Sequence, residues 1–258
     1  MPDVKLMAHW VAGYPDMERS HAAALALAAG GADYLEIQFP FSDPSADGPV
    51  IERACQASLE AGFKTADGFR LIEDLAKRLS SPLFIMTYGS LLVARGAEDF
   101  ARRAAGAGAK GLIIPDLPPD YDERLFESGR LAGLAVVPVI APGIAETRLG
   151  LIQSLDPEYI YTALRLGITG GRTALDKNSI RHLDKAGFLG SKIIAGFGVR
   201  TREQILALTG HTHAVAVGSH FLETFDRTGG VCPENALRSA AAELNAFSQN
   251  ADPSFRAF

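Results

Sequence analysis

Residues 5–16, KLMAHWVAGYPD, decide between the two ways in which helices wrap a parallel sheet. The stretch opens as a short apolar run, Leu6–Ala12, and turns at Ala12-Gly13-Tyr14-Pro15 toward a helix that starts after Asp16. A doubly wound dinucleotide-binding sheet carries G-x-G-x-x-G in this first turn, where glycine lets the backbone approach a pyrophosphate. No such pattern stands here. Seven further apolar or β-branched runs follow: Tyr34–Phe39, Leu83–Tyr88, Gly111–Pro115, Ala135–Ile140, Tyr159–Leu164, Lys192–Gly196 and Ala214–Gly218. Each precedes a stretch of helical periodicity, so the chain reads as eight βα units with right-handed crossovers. The expected fold is α/β, a single-domain (β/α)8 TIM barrel spanning residues 1–258, with a loose tail after about residue 248.

The intervening segments carry helix punctuation. HAAALALAAGG (21–31) ends in Gly30-Gly31, and GAEDFARRAAGAG (96–108) ends at Gly106 or Gly108, as helices often do. Thr201 and Gln204 form a T-x-x-Q capping box after the seventh run. The loop after the second run is unusually long and holds an extra helix from about Pro49 to Ala61. Long βα loops of barrels belong near active sites.

Composition excludes several function classes. The 258 residues are 47% hydrophobic and 21% charged, too apolar for disorder. With 25 Lys+Arg against 30 Asp+Glu, the net charge of −5 and the lack of a basic block speak against nucleic acid. The longest run free of Asp, Glu, Lys and Arg, residues 204–222, contains three histidines, which disfavours a membrane span. The N-terminus lacks a secretory pattern, so a cytoplasmic location is expected. Cys55 and Cys232 make no metal site by themselves and read as reduced packing residues.

Alternation along YLEIQFP (34–40) puts Leu35, Ile37 and Phe39 on one face and Tyr34, Glu36 and Gln38 on the other. Glu36 then points into the barrel. Ionising a carboxylate among apolar neighbours is costly, which suits Glu36 to proton transfer; a structural pair with a buried Arg or Lys explains a lone strand glutamate equally well. The decapeptide PFSDPSADGP (40–49) adds Asp43 and Asp47, framed by Pro40, Pro44 and Pro49. Taken pair by pair these are turn residues, but together they make a rigid acidic loop.

LEIQFPFSDPSADGP (35–49) resembles the signature of the tryptophan synthase α subunit family. The later blocks agree in order and spacing. KLMAHWVAGYPD is similar to the family's first strand, IMTYGS (85–90) to its third and LIIPDLPPDY (112–121) to its fourth. YIYTALRLGITG (159–170) is similar to the sixth strand and its loop, and IAGFGV (194–199) with AVAVGS (214–219) to the phosphate-binding end. The resemblance implies a lyase of tryptophan biosynthesis that cleaves indole-3-glycerol phosphate to indole and glyceraldehyde 3-phosphate. It implies an α2β2 assembly with a β subunit that holds pyridoxal phosphate, and no metal or cofactor in this chain.

Carried over by position, the family's acid/base glutamate falls on Glu36 and its indole-binding aspartate on Asp47. Tyr161 and Phe197 would line the pocket, with His9, Gln38 and Met86 as further lining, and Thr169 would meet Asp47 when its loop closes. Gly-containing segments at the ends of strands six, seven and eight, Thr169-Gly170-Gly171, Gly196-Phe197-Gly198 and Val217-Gly218-Ser219, are expected to offer backbone amides to a phosphate. The chain departs from the family at Gln38, commonly glycine, at His9, usually aromatic, and at Ala8, usually proline. Leu164 replaces the loop serine, and Gly89-Ser90-Leu91 replaces Tyr-Asn-Pro at the segment that meets the β subunit. These departures motivate two alternatives, a stand-alone indole-releasing lyase and a poorly catalytic regulatory partner of the β subunit. A different phosphate-binding barrel, such as a sugar-phosphate isomerase, is disfavoured by the acidic decapeptide.

Overall fold

The apolar runs become parallel strands in a computed structural model that describes residues 4–164, 177–187, 189–196 and 198–245. In chain order they are β1 (Lys5–Val11), β2 (Tyr34–Gln38), β3 (Leu83–Met86), β4 (Gly111–Ile113), β5 (Ala135–Val137), β6 (Val139–Ile140), β7 (Tyr159–Ala163), β8 (Lys192–Gly196) and β9 (Ala214–Val217). Their order in the sheet is β5-β4-β3-β2-β1-β9-β8-β7-β6. β5 and β6 sit at opposite ends of this order, yet only Pro138 separates them in the chain. They are two halves of one barrel strand, the run expected as Ala135–Ile140. Proline has no N–H to give a ladder, so the strand breaks there. The Pro138 carbonyl still accepts from the Tyr161 amide at 2.9 Å, and the chain itself carries the sheet round into a nearly closed (β/α)8 barrel.

Period-two alternation sorts the side chains into two cores. Leu35, Ile37 and Phe39 join the outer layer between sheet and helices, whereas Tyr34, Phe84, Met86, Tyr88 and Tyr161 fill the barrel interior. Tyr34, Phe84 and Tyr159 meet edge to face at centroid distances of 5.3–6.3 Å and make an aromatic floor. The floor leaves the polar residues farther along β1 and β2 facing the opposite, C-terminal mouth, where the βα loops gather.

The helices begin and end where local chemistry dictates. Asp16 caps the helix Met17–Ala29 by accepting from the Arg19 amide at 2.8 Å. The Thr201–Gln204 capping box opens the helix Arg202–Ala207. The extra helix after β2 runs Pro49–Glu60, with proline in its first turn, where the missing N–H costs nothing. Cys55, on that helix, is buried as expected; Cys232 is exposed, because it sits in the turn ahead of the helix Pro233–Asn245 and not on its packed face. Among the described residues no helix is long and apolar enough to cross a membrane. The tail after residue 248 lies outside the described residues.

Helices Met17–Ala29 and Pro233–Asn245 pack against each other across β1 at Gly30, where an added Cβ would lie 2.5 Å from the Arg238 carbonyl and 2.6 Å from the Ala241 methyl. Gly30 has φ −77°, a conformation that alanine adopts freely, so any penalty is packing alone. Gly30→Ala is expected to destabilise the fold by about 1–3 kcal/mol in urea unfolding. An unchanged midpoint would contradict this close approach.

Candidate active site

β2 delivers Glu36 to the mouth of the barrel, and the register pairs it with His9 on β1. His9 Nδ1 lies 3.2 Å from Glu36 Oε1, and both side chains are buried. The Arg or Lys partner that a structural glutamate would have is replaced by a histidine. Glu36 Oε2 and His9 Nε2 are buried without a hydrogen-bond partner. Buried polar atoms are normally paired, so two orphans in one cleft mark a place built for something other than stability.

The acidic loop brings Asp47 to the same place. A turn in which the Asp47 amide bonds the Pro44 carbonyl at 2.8 Å directs its side chain inward, leaving it 3% exposed. Asp47 Oδ2 accepts from Gln38 Nε2 at 2.7 Å and from the Tyr88 hydroxyl at 2.9 Å. Tyr88 in turn accepts from the Ala46 amide at 3.1 Å and stacks on Phe41, so one side chain holds both the loop and its carboxylate. Gln38 also reaches Cys55 Sγ at 3.4 Å, which ties β2 to the extra helix. Asp43 stays exposed on the outer side of the loop, bonded to Ser42.

Burial raises the Asp47 carboxyl above its ordinary value; Glu36 adds to the rise, while His9, Gln38 and Tyr88 offset part of it. For His9, burial works against the imidazolium, but the charge and hydrogen bond of Glu36, with the charge of Asp47, outweigh it and leave the ring above its usual value. Burial, with both carboxylates behind it, holds the Tyr161 phenol far above the ordinary range.

These groups surround a cleft at the mouth of the barrel, about 650 Å³ of space that includes its opening to solvent. Glu36, Asp47 and His9 form its polar wall, and Ile51, Met86, Ile113, Val139 and Tyr161 give it an apolar side. Gly198, Arg200, Gly218 and Ser219, at or beyond the ends of β8 and β9, line the rest of it. The helix Ser219–Arg227 starts here, with Gly218 as its N-cap, so its first amides face this part of the cleft. A Cβ on Gly196 would collide with the Tyr161 hydroxyl and ring, which explains the glycine beside that tyrosine. Among the described residues, no three His, Cys, Asp or Glu side chains are grouped to hold a metal.

Eight residues singled out from the sequence thus share one cleft: His9, Glu36, Asp47, Met86, Tyr161, Gly198, Gly218 and Ser219. Gln38 lies behind Asp47 and orients it. Thr169, Gly170 and Phe197 lie outside the described residues, as do Arg165 and Gly171. Two residues escaped the sequence reading. Tyr88 continues the inward alternation of Phe84 and Met86, a signal that the short β3 run contained; Arg200, ion-paired to Glu223, is a cation two residues beyond Gly198.

A sequence model of the tryptophan synthase alpha chain matches residues 3–252. The tryptophan synthase alpha chain of Helicobacter hepaticus is 40% identical over 230 residues, covering 86% of this chain and 85% of its own. That of Methanosarcina barkeri is 38% identical, covering 93% and 89%. Among solved structures, a tryptophan synthase from Mycobacterium tuberculosis superposes with a TM-score of 0.86 at 30% identity, covering 95% of this chain and 92% of that one. A chain of the tryptophan synthase α2β2 complex from Pyrococcus furiosus gives 0.84 at 28%, with 95% and 99% covered. The chain belongs to the tryptophan synthase alpha chain family.

Proposed function

We propose that the chain, acting as one barrel domain over residues 1–258, cleaves indole-3-glycerol phosphate by a retro-aldol reaction to indole and glyceraldehyde 3-phosphate. The observation that carries this reading is the meeting of Glu36 and Asp47 in one cleft that Gly198, Gly218 and Ser219 also line. An indole ring fits the apolar side formed by Ile51, Met86, Ile113 and Val139, and a phosphate fits the helix start at Ser219. The family's further phosphate and pocket contacts fall on Thr169, Gly170 and Phe197.

The bond between indole C3 and the glycerol side chain breaks heterolytically only if the ring can take up the electron pair. Protonation of C3 by the Glu36 carboxyl turns the ring nitrogen into that electron sink. The resulting Glu36 carboxylate then takes the proton of the hydroxyl next to the breaking bond, the C–C pair flows into the ring, and the aldehyde forms. One proton goes on at C3 and one comes off the hydroxyl, so Glu36 ends as it began. Asp47 accepts the ring N–H and stabilises the positive charge that grows there. Its Oδ2 is already taken by Gln38 and Tyr88, which leaves Oδ1 for the indole.

In this reading the chain is the α subunit of a cytoplasmic α2β2 tryptophan synthase. The β subunit carries pyridoxal phosphate and consumes the indole, and this chain supplies no cofactor. The apolar product of the cleavage favours a partner that receives it without release to water.

Glu36→Gln is expected to lower indole release by at least about 100-fold while substrate binding by calorimetry stays within a few-fold. Full turnover in this variant would overturn the acid/base assignment. Asp47 sets an acid limb. A carboxyl whose value is raised is protonated below that raised value and can then no longer stabilise the ring cation. kcat/KM should therefore fall as pH drops through a point above the ordinary 3.8, and Asp47→Asn should abolish that limb along with most of the activity.

A further inference from the structure

We propose that His9 is a positioning and proton-holding residue for Glu36: its Nδ1 fixes Oε1, leaves Oε2 to the substrate, and shares with Glu36 the proton that the cleavage uses and restores. This inference rests on the lyase reading and deepens it.

The geometry comes from the strands. His9 and Glu36 are register partners on β1 and β2, and both project into the barrel, so the backbone holds them side by side without help from a loop. Gly218 closes over the imidazole from the other side: a Cβ there would lie 3.0–3.3 Å from His9 Cδ2, Cγ and Cβ, tighter than ordinary contact. The ring is thereby wedged between the β9 end and Glu36, with Nδ1 at 3.2 Å from Oε1. Oε2 remains the buried oxygen without a partner, on a residue that lines the cleft.

The charged and titratable groups around the ring favour a shared proton. Glu36 faces it from β2 and Asp47 from the loop after β2, while Tyr161 on β7 shares the cleft with both carboxylates. Arg200, beyond β8, lines the same cleft but is ion-paired to Glu223. Two buried carboxylates have the imidazolium as their counter-charge among the described residues, and this raises the His9 value despite its burial.

The proton balance is closed. Imidazolium and carboxylate first become neutral His9 and the Glu36 acid as the proton moves from Nδ1 to the carboxylate. The neutral acid, released from the ion pair, turns its O–H toward the substrate, gives the proton to C3 and becomes carboxylate again. As the C–C bond breaks, the carboxylate takes the hydroxyl proton, and this proton returns to Nδ1. No oxidant, metal or further reactant enters.

Two variants separate position from proton holding. His9→Phe, which keeps an aromatic ring in the wedge, is expected to lower kcat roughly tenfold or more with KM nearly unchanged, and to move the alkaline limb of the pH profile to lower pH. His9→Gln, which keeps an N–H donor for Oε1, should recover part of kcat but not the position of that limb. NMR titration of His9 in the substrate-free chain supplies a readout that needs no turnover: Glu36→Gln should lower the imidazole value. A His9→Phe enzyme with wild-type kcat and pH profile would overturn the proposal, as would an imidazole titration unmoved by Glu36→Gln. If no form releases indole while the imidazole still responds to Glu36→Gln, the lyase reading and the proton-holding role in it fail together, and only the pairing stands. An unresponsive imidazole with turnover intact would sink the pair and spare the lyase.

Discussion

Burial of two carboxylates in one barrel mouth is the constraint on which the rest of the site depends. Glu36 and Asp47 are each 3% exposed, and an ion removed from water persists only if neighbouring groups compensate it. The compensation comes from three side chains on different elements. His9 on β1 answers Glu36, while Gln38 on β2 and Tyr88 after β3 bond a single oxygen of Asp47. These bonds also fix the direction of both carboxylates. Stability and preorganisation therefore have the same origin here.

The barrel makes this arrangement affordable by separating its ends. The aromatic floor of Tyr34, Phe84 and Tyr159 fills the lower interior and excludes water, while the polar residues gather in the layer above. The same alternation that sends Leu35, Ile37 and Phe39 to the outer core sends Glu36 and Gln38 inward. A one-residue slip of β2 would reverse every one of these directions. The extra helix Pro49–Glu60 then closes the side of the site through Ile51 and Cys55.

What was legible in the sequence follows from how local its causes are. The inward direction of Glu36, the helix after Pro49 and the Thr201–Gln204 capping box depend on neighbours within a few positions, and all three stand in the structure. The break of the fifth strand at Pro138 is equally local, but apolar residues on both sides of it make Ala135–Ile140 read as one unbroken run. Cross-strand facts were out of reach. The meeting of His9 with Glu36 requires the β1–β2 register, and the grip of Gln38 and Tyr88 on Asp47 requires the loop to fold back over β3. Gln38, expected to line the pocket, instead stands behind Asp47 and holds it. Cys232 is exposed, against the packing role expected of it, because exposure in a turn is not a property of residue type.

The account turns on whether these two carboxylates act together on one substrate. The most direct measurement is indole release from indole-3-glycerol phosphate by the purified chain, first alone and then with a pyridoxal-phosphate β subunit. The account predicts release by the chain alone that rises strongly when the partner is added. Fast release unaffected by any partner would contradict the subunit role and describe a stand-alone lyase. No release under either condition would contradict the central claim and leave a binding barrel that has lost the reaction.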